Sequence, residues 1–350
     1  MATKKPIYIN GHFMTQSMTG IQRFSYELCK AMINAGEEII VLAPRKVRPE
    51  YQLNCKIIKF GVFNGVLWEH LELLILLLNK RKPLLLNFGS PGPLFYKNRI
   101  VTIHDVSFKK NPKWFAWYYS LYYRIITPIY AKRSHKIITV SEFSKSEIQK
   151  WLKISDDKFA IVHNAVSKEI KPEEQDTPIQ KGKYILTVSS LDPRKNIVNI
   201  FKAFALNKNK DLQLILAGKK SSMFNFKEND EVKIKSIGYV SNSQLANLYK
   251  NAIAFIYLSY YEGFGIPPLE AMSFGCPVIL SDIPVFKEIY NDSALFVNPD
   301  NLDEINNAIN RIVNNERLRT NLISKGLKKS QEYTWEKSAK IICDIINKNH

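Results

Sequence analysis

The stretch that decides the fold is Tyr257-Leu-Ser-Tyr-Tyr-Glu-Gly-Phe-Gly-Ile-Pro-Pro-Leu-Glu-Ala-Met-Ser-Phe-Gly275. Its apolar beginning predicts a buried strand that ends near Ser259, and a glycine-containing loop follows. Pro267-Pro268 is typical of the first turn of a helix. Backbone N–H groups are free at a helix N-terminus, where they bind anions such as a diphosphate. The stretch therefore predicts an α/β unit with an anion site at the junction of strand and helix.

Two carboxylates flank this junction. Glu262 lies in the loop, and Glu270 is predicted to lie in the first helical turn. Both are expected at the carboxyl end of the sheet, where α/β proteins bind ligands. A carboxylate can accept hydrogen bonds from two neighbouring hydroxyls, so the pair could hold a sugar at one end and a ribose at the other. The alternative is that Glu270 only complements the helix dipole and Glu262 is solvated.

The same strand–helix alternation extends along the whole chain. Near-continuous apolar runs such as Ile100–Ile103 and Ile137–Val140 predict parallel strands covered by helices on both faces. The 350 residues suffice for two doubly wound domains. We predict an N-terminal domain over 1–170, a Pro-containing linker over 171–183 and a C-terminal domain over 184–333. A helix over 334–348 is expected to return to the first domain, and the ligand is expected in an interdomain cleft.

Composition narrows the class of protein. The chain is 45% hydrophobic and 23% charged, which excludes a disordered protein. No apolar run approaches the ~20 residues of a membrane span, and the N-terminus leads into a strand-like run instead of a signal peptide. We therefore expect a cytoplasmic protein at the inner face of the cell membrane. The four cysteines have no metal-ligand spacing.

Net charge predicts an anionic partner. The chain carries a formal charge of +18, but it has no helix-turn-helix, zinc-finger or RNP-like motif, so nucleic acid is not the expected partner. Residues 109–136 contain seven basic and eight aromatic residues and no acidic one. This composition favours peripheral contact with an anionic membrane. The alternative is a helix whose aromatic side chains pack in the core while its basic residues are solvated.

The stretch 257–275 resembles the E-x7-E signature of the retaining GT-B glycosyltransferases of family 4, in the form E-G-F-G-x-P-x-L-E-A. Other motifs similar to that family follow in order from residue 19 to 282. They are Thr19-Gly-Ile-Gln-Arg23, Thr102-Ile-His-Asp105, Ile138-Thr-Val-Ser-Glu-Phe-Ser144, Val162-His-Asn164, Asp192-Pro-Arg-Lys-Asn196, Leu216-Ala-Gly218, Gly238-Tyr-Val240 and Pro277-Val-Ile-Leu-Ser-Asp282. The variant most resembles transferases of bacterial surface polysaccharides, including mannosyltransferases.

The resemblance implies how a nucleotide-sugar donor is bound. Glu270 would hold the ribose hydroxyls, and Glu262 would hold hydroxyls of the transferred sugar. Gly20 would let the backbone of the first domain approach the diphosphate closely, because glycine has no Cβ. The loop and the helix N-terminus would cradle the sugar and the phosphates through Gly263, Phe264, Gly265 and Ile266.

Cations and a histidine complete the expected site. Arg194 and Lys195 follow the first strand of the second domain and could neutralise charge on the leaving diphosphate, unless they are merely solvated cations. Many family members carry Gly-Arg where this chain has Val188-Ser189, so Arg194 and Lys195 would have to bind the phosphates instead. The resemblance places His104 near the reacting sugar, and His104, Glu262 and Lys195 are the expected catalytic residues. A histidine satisfied within the core remains the alternative.

Together these features predict metal-independent transfer of a hexose, with mannose as the first candidate. No Asp-x-Asp follows an apolar strand, and no cofactor or metal is expected. The donor would be a nucleoside diphosphate sugar, and the acceptor a hydroxyl of a lipid-linked saccharide or polysaccharide in surface-glycan synthesis. Two alternatives remain: a disaccharide synthase or phosphorylase with a soluble acceptor, and a non-catalytic scaffold subunit of a polysaccharide assembly complex.

Overall fold

The computed structural model describes residues 6–172, 183–190, 192–218 and 234–348. The chain divides into two compact units. Unit 1 comprises residues 1–164 and 334–350, and unit 2 comprises residues 165–333. Most of the linker predicted over 171–183 lies outside the described residues. No helix within the described ranges is both long enough and apolar enough to span a bilayer.

Unit 1 is built on a seven-stranded parallel sheet in the order β3-β2-β1-β4-β5-β6-β7. Its elements as far as Asn164 are β1 (Ile7–Asn10), α1 (Gly20–Asn34), β2 (Ile39–Pro44), β3 (Lys56–Phe60), α2 (Gly65–Leu67), α3 (Leu73–Asn79), β4 (Leu85–Asn87), β5 (Arg99–Thr102), α4 (Ser107–Lys110), α5 (Trp117–Arg133), β6 (Lys136–Thr139), α6 (Glu142–Leu152) and β7 (Phe159–Ile161). A π-helical turn, Trp68–Glu72, joins α2 to α3.

The central strands of unit 1 are covered on both faces. All six residues of β2 are buried, as its unbroken apolar sequence predicts, and all four residues of β5 are buried as well. Arg99, the first residue of β5, is fully buried. Its guanidinium donates hydrogen bonds to the carbonyls of Pro91, Pro93 and Leu94, which holds the loop before β5 against the sheet. Burial lowers the pKa of Arg99 to about 10.

Unit 2 is a six-stranded parallel sheet in the order β10-β9-β8-β11-β12-β13. Its elements are β8 (Lys183–Val188), α7 (Ile197–Ala205), β9 (Leu212–Ala217), β10 (Ile234–Gly238), α8 (Asn242–Asn251), β11 (Ala254–Tyr257), α9 (Ile266–Ser273), β12 (Val278–Ser281), α10 (Pro284–Tyr290), β13 (Ala294–Val297), α11 (Leu302–Asn314) and α12 (Glu316–Glu332). The strand order reverses between β8 and β11, which are neighbours in space but not in sequence.

The last helix, α13 (Trp335–Lys348), returns to unit 1. Trp335 is buried and meets Phe24 of α1 edge to face, with ring centroids 5.9 Å apart. The Ser338 hydroxyl donates a hydrogen bond of 2.7 Å to the His163 carbonyl. The prediction of two doubly wound α/β domains with a returning C-terminal helix is confirmed.

Candidate active site

The functional side chains of unit 2 gather where its strand order reverses. β8 and β11 run parallel, but the chain goes on from β8 to β9 on one side and from β11 to β12 on the other. In open α/β sheets, ligands bind beyond the carboxyl ends of the strands at such a point. Arg194 and Lys195 lie in the connection that follows β8, and Glu262 lies in the loop that follows β11. Residues 67 positions apart in sequence therefore come together because of the topology.

A short helical turn aims the two cations. Pro193–Lys195 forms one turn of 3-10 helix, and the Asp192 carboxylate caps it by accepting the Arg194 N–H at 2.9 Å. The second oxygen of Asp192 lies 3.4 Å from Arg194 Nε. Asn196, at φ +54°, ends the turn and begins α7. This local geometry fixes the direction of both cationic side chains.

Lys195 and Glu262 form a buried ion pair. Lys195 Nζ donates to Glu262 Oε1 at 2.5 Å and to the Tyr257 hydroxyl at 2.7 Å. The Tyr257 hydroxyl in turn donates to the same carboxylate oxygen at 2.9 Å. Only 9% of the Glu262 side chain and 13% of the Lys195 side chain are exposed. The sequence left open that Glu262 and Lys195 are merely solvated, and this buried ion pair does not fit that alternative.

Arg194 adds a second cation to the pair. Its Nη1 lies 3.4 Å from Glu262 Oε2 and donates to the Tyr261 carbonyl at 3.3 Å. Burial alone would raise the pKa of Glu262, but the charges of Lys195 and Arg194 outweigh it and lower that pKa to about 2. Burial lowers the pKa of Lys195, and Glu262 opposes that effect. Glu262 is therefore a carboxylate at neutral pH, held by two cations.

The glycine loop packs tightly before α9. Gly265 caps the helix at φ +92°, and a Cβ on it would lie 2.6 Å from Cε1 of Phe286. Its carbonyl accepts a hydrogen bond from the Tyr290 hydroxyl. Gly263, Phe264 and Gly265 are buried, and Ile266 begins the helix.

The second carboxylate also lies inside the protein. Glu270 is 6% exposed, and its Oε2 accepts a hydrogen bond of 3.1 Å from the Tyr249 hydroxyl on α8. The prediction that Glu270 lies in the first helical turn was wrong, because α9 begins at Ile266 and Glu270 is its fifth residue.

Unit 1 holds the remaining two candidates. Gly20 is exposed and is the first residue of α1. His104 follows β5; its Nε2 lies 2.9 Å from the Phe88 carbonyl, and its ring meets Phe24 edge to face. A carbonyl only accepts, so this nitrogen carries the proton, and a neutral ring offers Nδ1 as an acceptor. Burial lowers the pKa of His104, which favours the neutral ring.

Two features of the site were missed in the sequence. The hydroxyls of Tyr257 and Tyr249 each donate to one of the two carboxylates. Tyr257 begins the stretch quoted above, but its role depends on β11 ending there and turning the ring towards the loop. No three His, Cys, Asp or Glu side chains come close enough to hold a metal ion in the described part of the chain.

Comparison with known proteins identifies the family. The model for glycosyl transferases group 1 matches residues 169–329, and the model for glycosyltransferase family 4 matches residues 18–169. The O-antigen chain mannosyltransferase RfbU of Salmonella typhimurium is 31% identical over 71% of this chain and 72% of that protein. O-antigen chain mannosyltransferase B of Escherichia coli is 30% identical over 70% of each chain.

A solved structure shows the same fold. Sucrose-phosphate synthase of Thermosynechococcus elongatus superposes with a TM-score of 0.77 over 99% of both chains, at 18% identity. Two parallel sheets, the motif order and these matches lead to one conclusion. The chain is a glycosyltransferase of family 4, with the GT-B fold.

Proposed function

We propose that this glycosyltransferase moves a hexose, with mannose as the first candidate, from a nucleoside diphosphate sugar to a hydroxyl of a lipid-linked saccharide or polysaccharide. The product would belong to a bacterial surface glycan, and the anomeric configuration would be retained. The two relatives named above are O-antigen chain mannosyltransferases, which supports the mannosyl group and the pathway. These relatives favour a transferase over a phosphorylase or a scaffold subunit.

The observation that carries the proposal is the buried carboxylate held by two cations. Glu262 pairs with both Lys195 and Arg194. An incoming diphosphate would offer these cations a stronger anionic partner, and sugar hydroxyls would then donate to the freed carboxylate. Cations positioned in advance stabilise the charge that grows on the leaving group. This exchange of partners lets one cluster bind both ends of the reacting bond.

The proposed reaction breaks one bond and forms one. The bond between the anomeric carbon and the diphosphate oxygen breaks, and its electron pair stays on that oxygen. The acceptor oxygen bonds to the anomeric carbon on the same face, and its proton passes to the leaving phosphate. We propose that no metal takes part, because Lys195 and Arg194 supply positive charge and the N-terminus of α9 supplies backbone N–H groups.

Membrane contact through residues 109–136 is part of the proposal. On α5, Tyr130 is buried and Tyr123 packs on the core, so the core-packing alternative holds for that side of the helix. Trp117, Leu121 and Ile125 are at least half exposed. These side chains support a helix that would lie on an anionic membrane at the cytoplasmic face, where a lipid-linked acceptor would be reached.

A thermal-shift screen in EDTA tests the donor site. UDP, GDP, ADP, TDP and their hexose conjugates would be added to the full-length chain. We expect one nucleotide to raise the melting temperature, and Glu270→Ala to abolish that increase. Exposed Glu316 on α12 provides the matched control, Glu316→Ala. If no nucleotide stabilises the wild type, or if Glu270→Ala responds as the wild type does, the assignment of the donor site is overturned.

A further inference from the structure

A second apolar surface of unit 1 lies outside residues 109–136. The loop before α2 and the helical segment from α2 to α3 expose large apolar side chains, which together we name the Phe63–Leu78 face. Its members are between 45% and 74% exposed; they are Val62, Phe63, Val66, Leu67, Leu71, Ile75 and Leu78. A contiguous set of this kind is unusual on a soluble protein and marks a contact surface.

A π-helical turn lies within this segment. Trp68, Leu73 and Leu77 are its buried apolar residues, at spacings of five and then four, and Glu69 is buried beside Trp68. A turn with i→i+5 hydrogen bonds accommodates the extra residue between Trp68 and Leu73. The exposed residues Leu67, Leu71 and Ile75 follow one another at spacings of four, which places them on one side of a helix.

Both acidic residues of this segment are held by hydrogen bonds. The carboxylate of Glu69 is buried and accepts a hydrogen bond from Asn10 at 2.6 Å. The carboxylate of Glu72 turns back to accept the backbone N–H groups of Val62 and Phe63, at 2.7 and 3.2 Å. The Glu69 charge is thus directed into the protein, whereas the Glu72 carboxylate is held against the backbone at the start of the segment, in hydrogen bonds open to solvent.

The face adjoins α5. His70 Nδ1 accepts the backbone N–H of Leu94 at 3.3 Å, so the proton of the neutral ring is on Nε2. Nε2 then donates to the Tyr122 hydroxyl of α5 at 3.3 Å. Beside this contact, Phe95 is 66% exposed, and the Arg133 guanidinium lies over its ring at 5.1 Å. One histidine therefore joins the π-helical turn, the loop before β5 and the aromatic helix.

Positive charge surrounds the surface. Exposed Lys80, Arg81 and Lys82 follow the end of α3 directly. From residue 73 to residue 141, twelve lysines and arginines are accompanied by one acidic residue, Asp105. Unit 1 contains 28 basic and 13 acidic residues, a net charge of +15, whereas unit 2 contains 22 and 19, a net charge of +3. Apolar side chains bordered by cations complement an anionic bilayer.

We propose that the Phe63–Leu78 face inserts into the interface of an anionic lipid bilayer, as a second contact beside α5. The inference builds on the proposed membrane location, which assigned the contact to residues 109–136 alone. The Phe63–Leu78 face and α5 would then bind the same bilayer. Loss of either contact should therefore weaken membrane binding much more than loss of an exposed leucine elsewhere in the chain.

Vesicle flotation of the full-length chain tests this. Vesicles of phosphatidylcholine with 30% phosphatidylglycerol would be compared with pure phosphatidylcholine at fixed ionic strength. We expect Leu71→Glu/Ile75→Glu to lower the partition coefficient on anionic vesicles at least tenfold. Trp117→Glu/Ile125→Glu tests α5 in the same way. Val198→Glu/Leu206→Glu is the matched control, because these are exposed apolar residues of unit 2, and it should bind within twofold of the wild type.

Each outcome of the flotation experiment supports or overturns the second membrane contact. Flotation of Leu71→Glu/Ile75→Glu at the wild-type level overturns the inference, and loss with Trp117→Glu/Ile125→Glu alone would leave residues 109–136 as the whole contact. A wild type that ignores anionic vesicles overturns both membrane proposals. A wild-type dimer that this variant converts to a monomer, without vesicle binding by either, identifies the face as a self-association surface instead. If a nucleotide raises the melting temperature of the variants as much as that of the wild type, the variants are folded and their donor site is intact.

Discussion

Replacing Glu262 with Gln removes one negative charge and preserves the shape of the side chain. The pKa of Glu262 is about 2, against an ordinary value of 4.5. A gap of about 2.5 pH units corresponds to roughly 3 kcal/mol of stability at neutral pH. The substitution also leaves Lys195 buried without its carboxylate partner, which acts in the same direction. We therefore expect Glu262→Gln to destabilise unit 2 by about 3 kcal/mol.

Thermal unfolding measures this effect. For a domain of about 170 residues, the loss corresponds to a melting temperature lower by roughly 6 to 12 °C at pH 7. Asp211→Asn, at an exposed carboxylate before β9, should change stability by less than about 0.5 kcal/mol. In transfer assays, Glu262→Gln should lower turnover more than nucleotide affinity, because the carboxylate is assigned to the sugar.

The lowered pKa of Glu262 also predicts how the stability of the protein changes with pH. A folded-state pKa below the ordinary value contributes stability that is complete above pH 4.5 and disappears as the pH falls towards 2. Lys195 and Arg194 stay protonated in acid, and Tyr257 stays neutral, so the side chains bonded to Glu262 keep their charge in this window. The difference in melting temperature between wild type and Glu262→Gln should narrow from pH 6 to pH 3. Equal stability at pH 7, or a difference that does not narrow, would refute the assignment.

Three further predictions follow from other contacts. Gly265→Ala combines a positive φ with a clash against Phe286 and should cost at least 2 kcal/mol in chemical unfolding, whereas Gly36→Ala, at φ +82° with nothing within 4 Å, should cost about 1. Tyr257→Phe removes a hydroxyl bridging the ion pair and should cost about 1–2 kcal/mol by the same assay. His104→Ala should reduce turnover about tenfold, and wild-type turnover should show no step near pH 6.5, because burial lowers this pKa.

Much of the architecture was readable in the sequence because parallel strands buried on both faces leave a plain signal. Unbroken apolar runs such as Ile39–Pro44 alternate with longer amphipathic helices. The glycine loop and the paired prolines also placed the strand-to-helix junction correctly, apart from the start of α9. Both predictions depend on local sequence, which periodicity and turn chemistry report directly.

The contacts within the site could not be read in this way. The Lys195–Glu262 pair depends on β8 and β11 becoming neighbours, and no local pattern announces a pairing over 67 residues. In the sequence, Tyr257 looks like a core residue at the end of an apolar strand. Its hydroxyl meets the Glu262 carboxylate only because β11 ends at this position. The π-helical turn was also missed, because Trp68–Asn79 is so apolar that a spacing of five does not stand out from a spacing of four.

The most direct test of the central claim is turnover of the nucleotide sugar that gives the largest thermal shift. Release of the nucleoside diphosphate would be measured in EDTA for the wild type, for Lys195→Ala and for a control, Lys202→Ala, on α7. We predict that the wild type and the control turn over at equal rates without metal and that Lys195→Ala is slower by about 10²-fold or more. The account would be contradicted if Lys195→Ala turned over as fast as the wild type, or if the wild type lost its activity in EDTA.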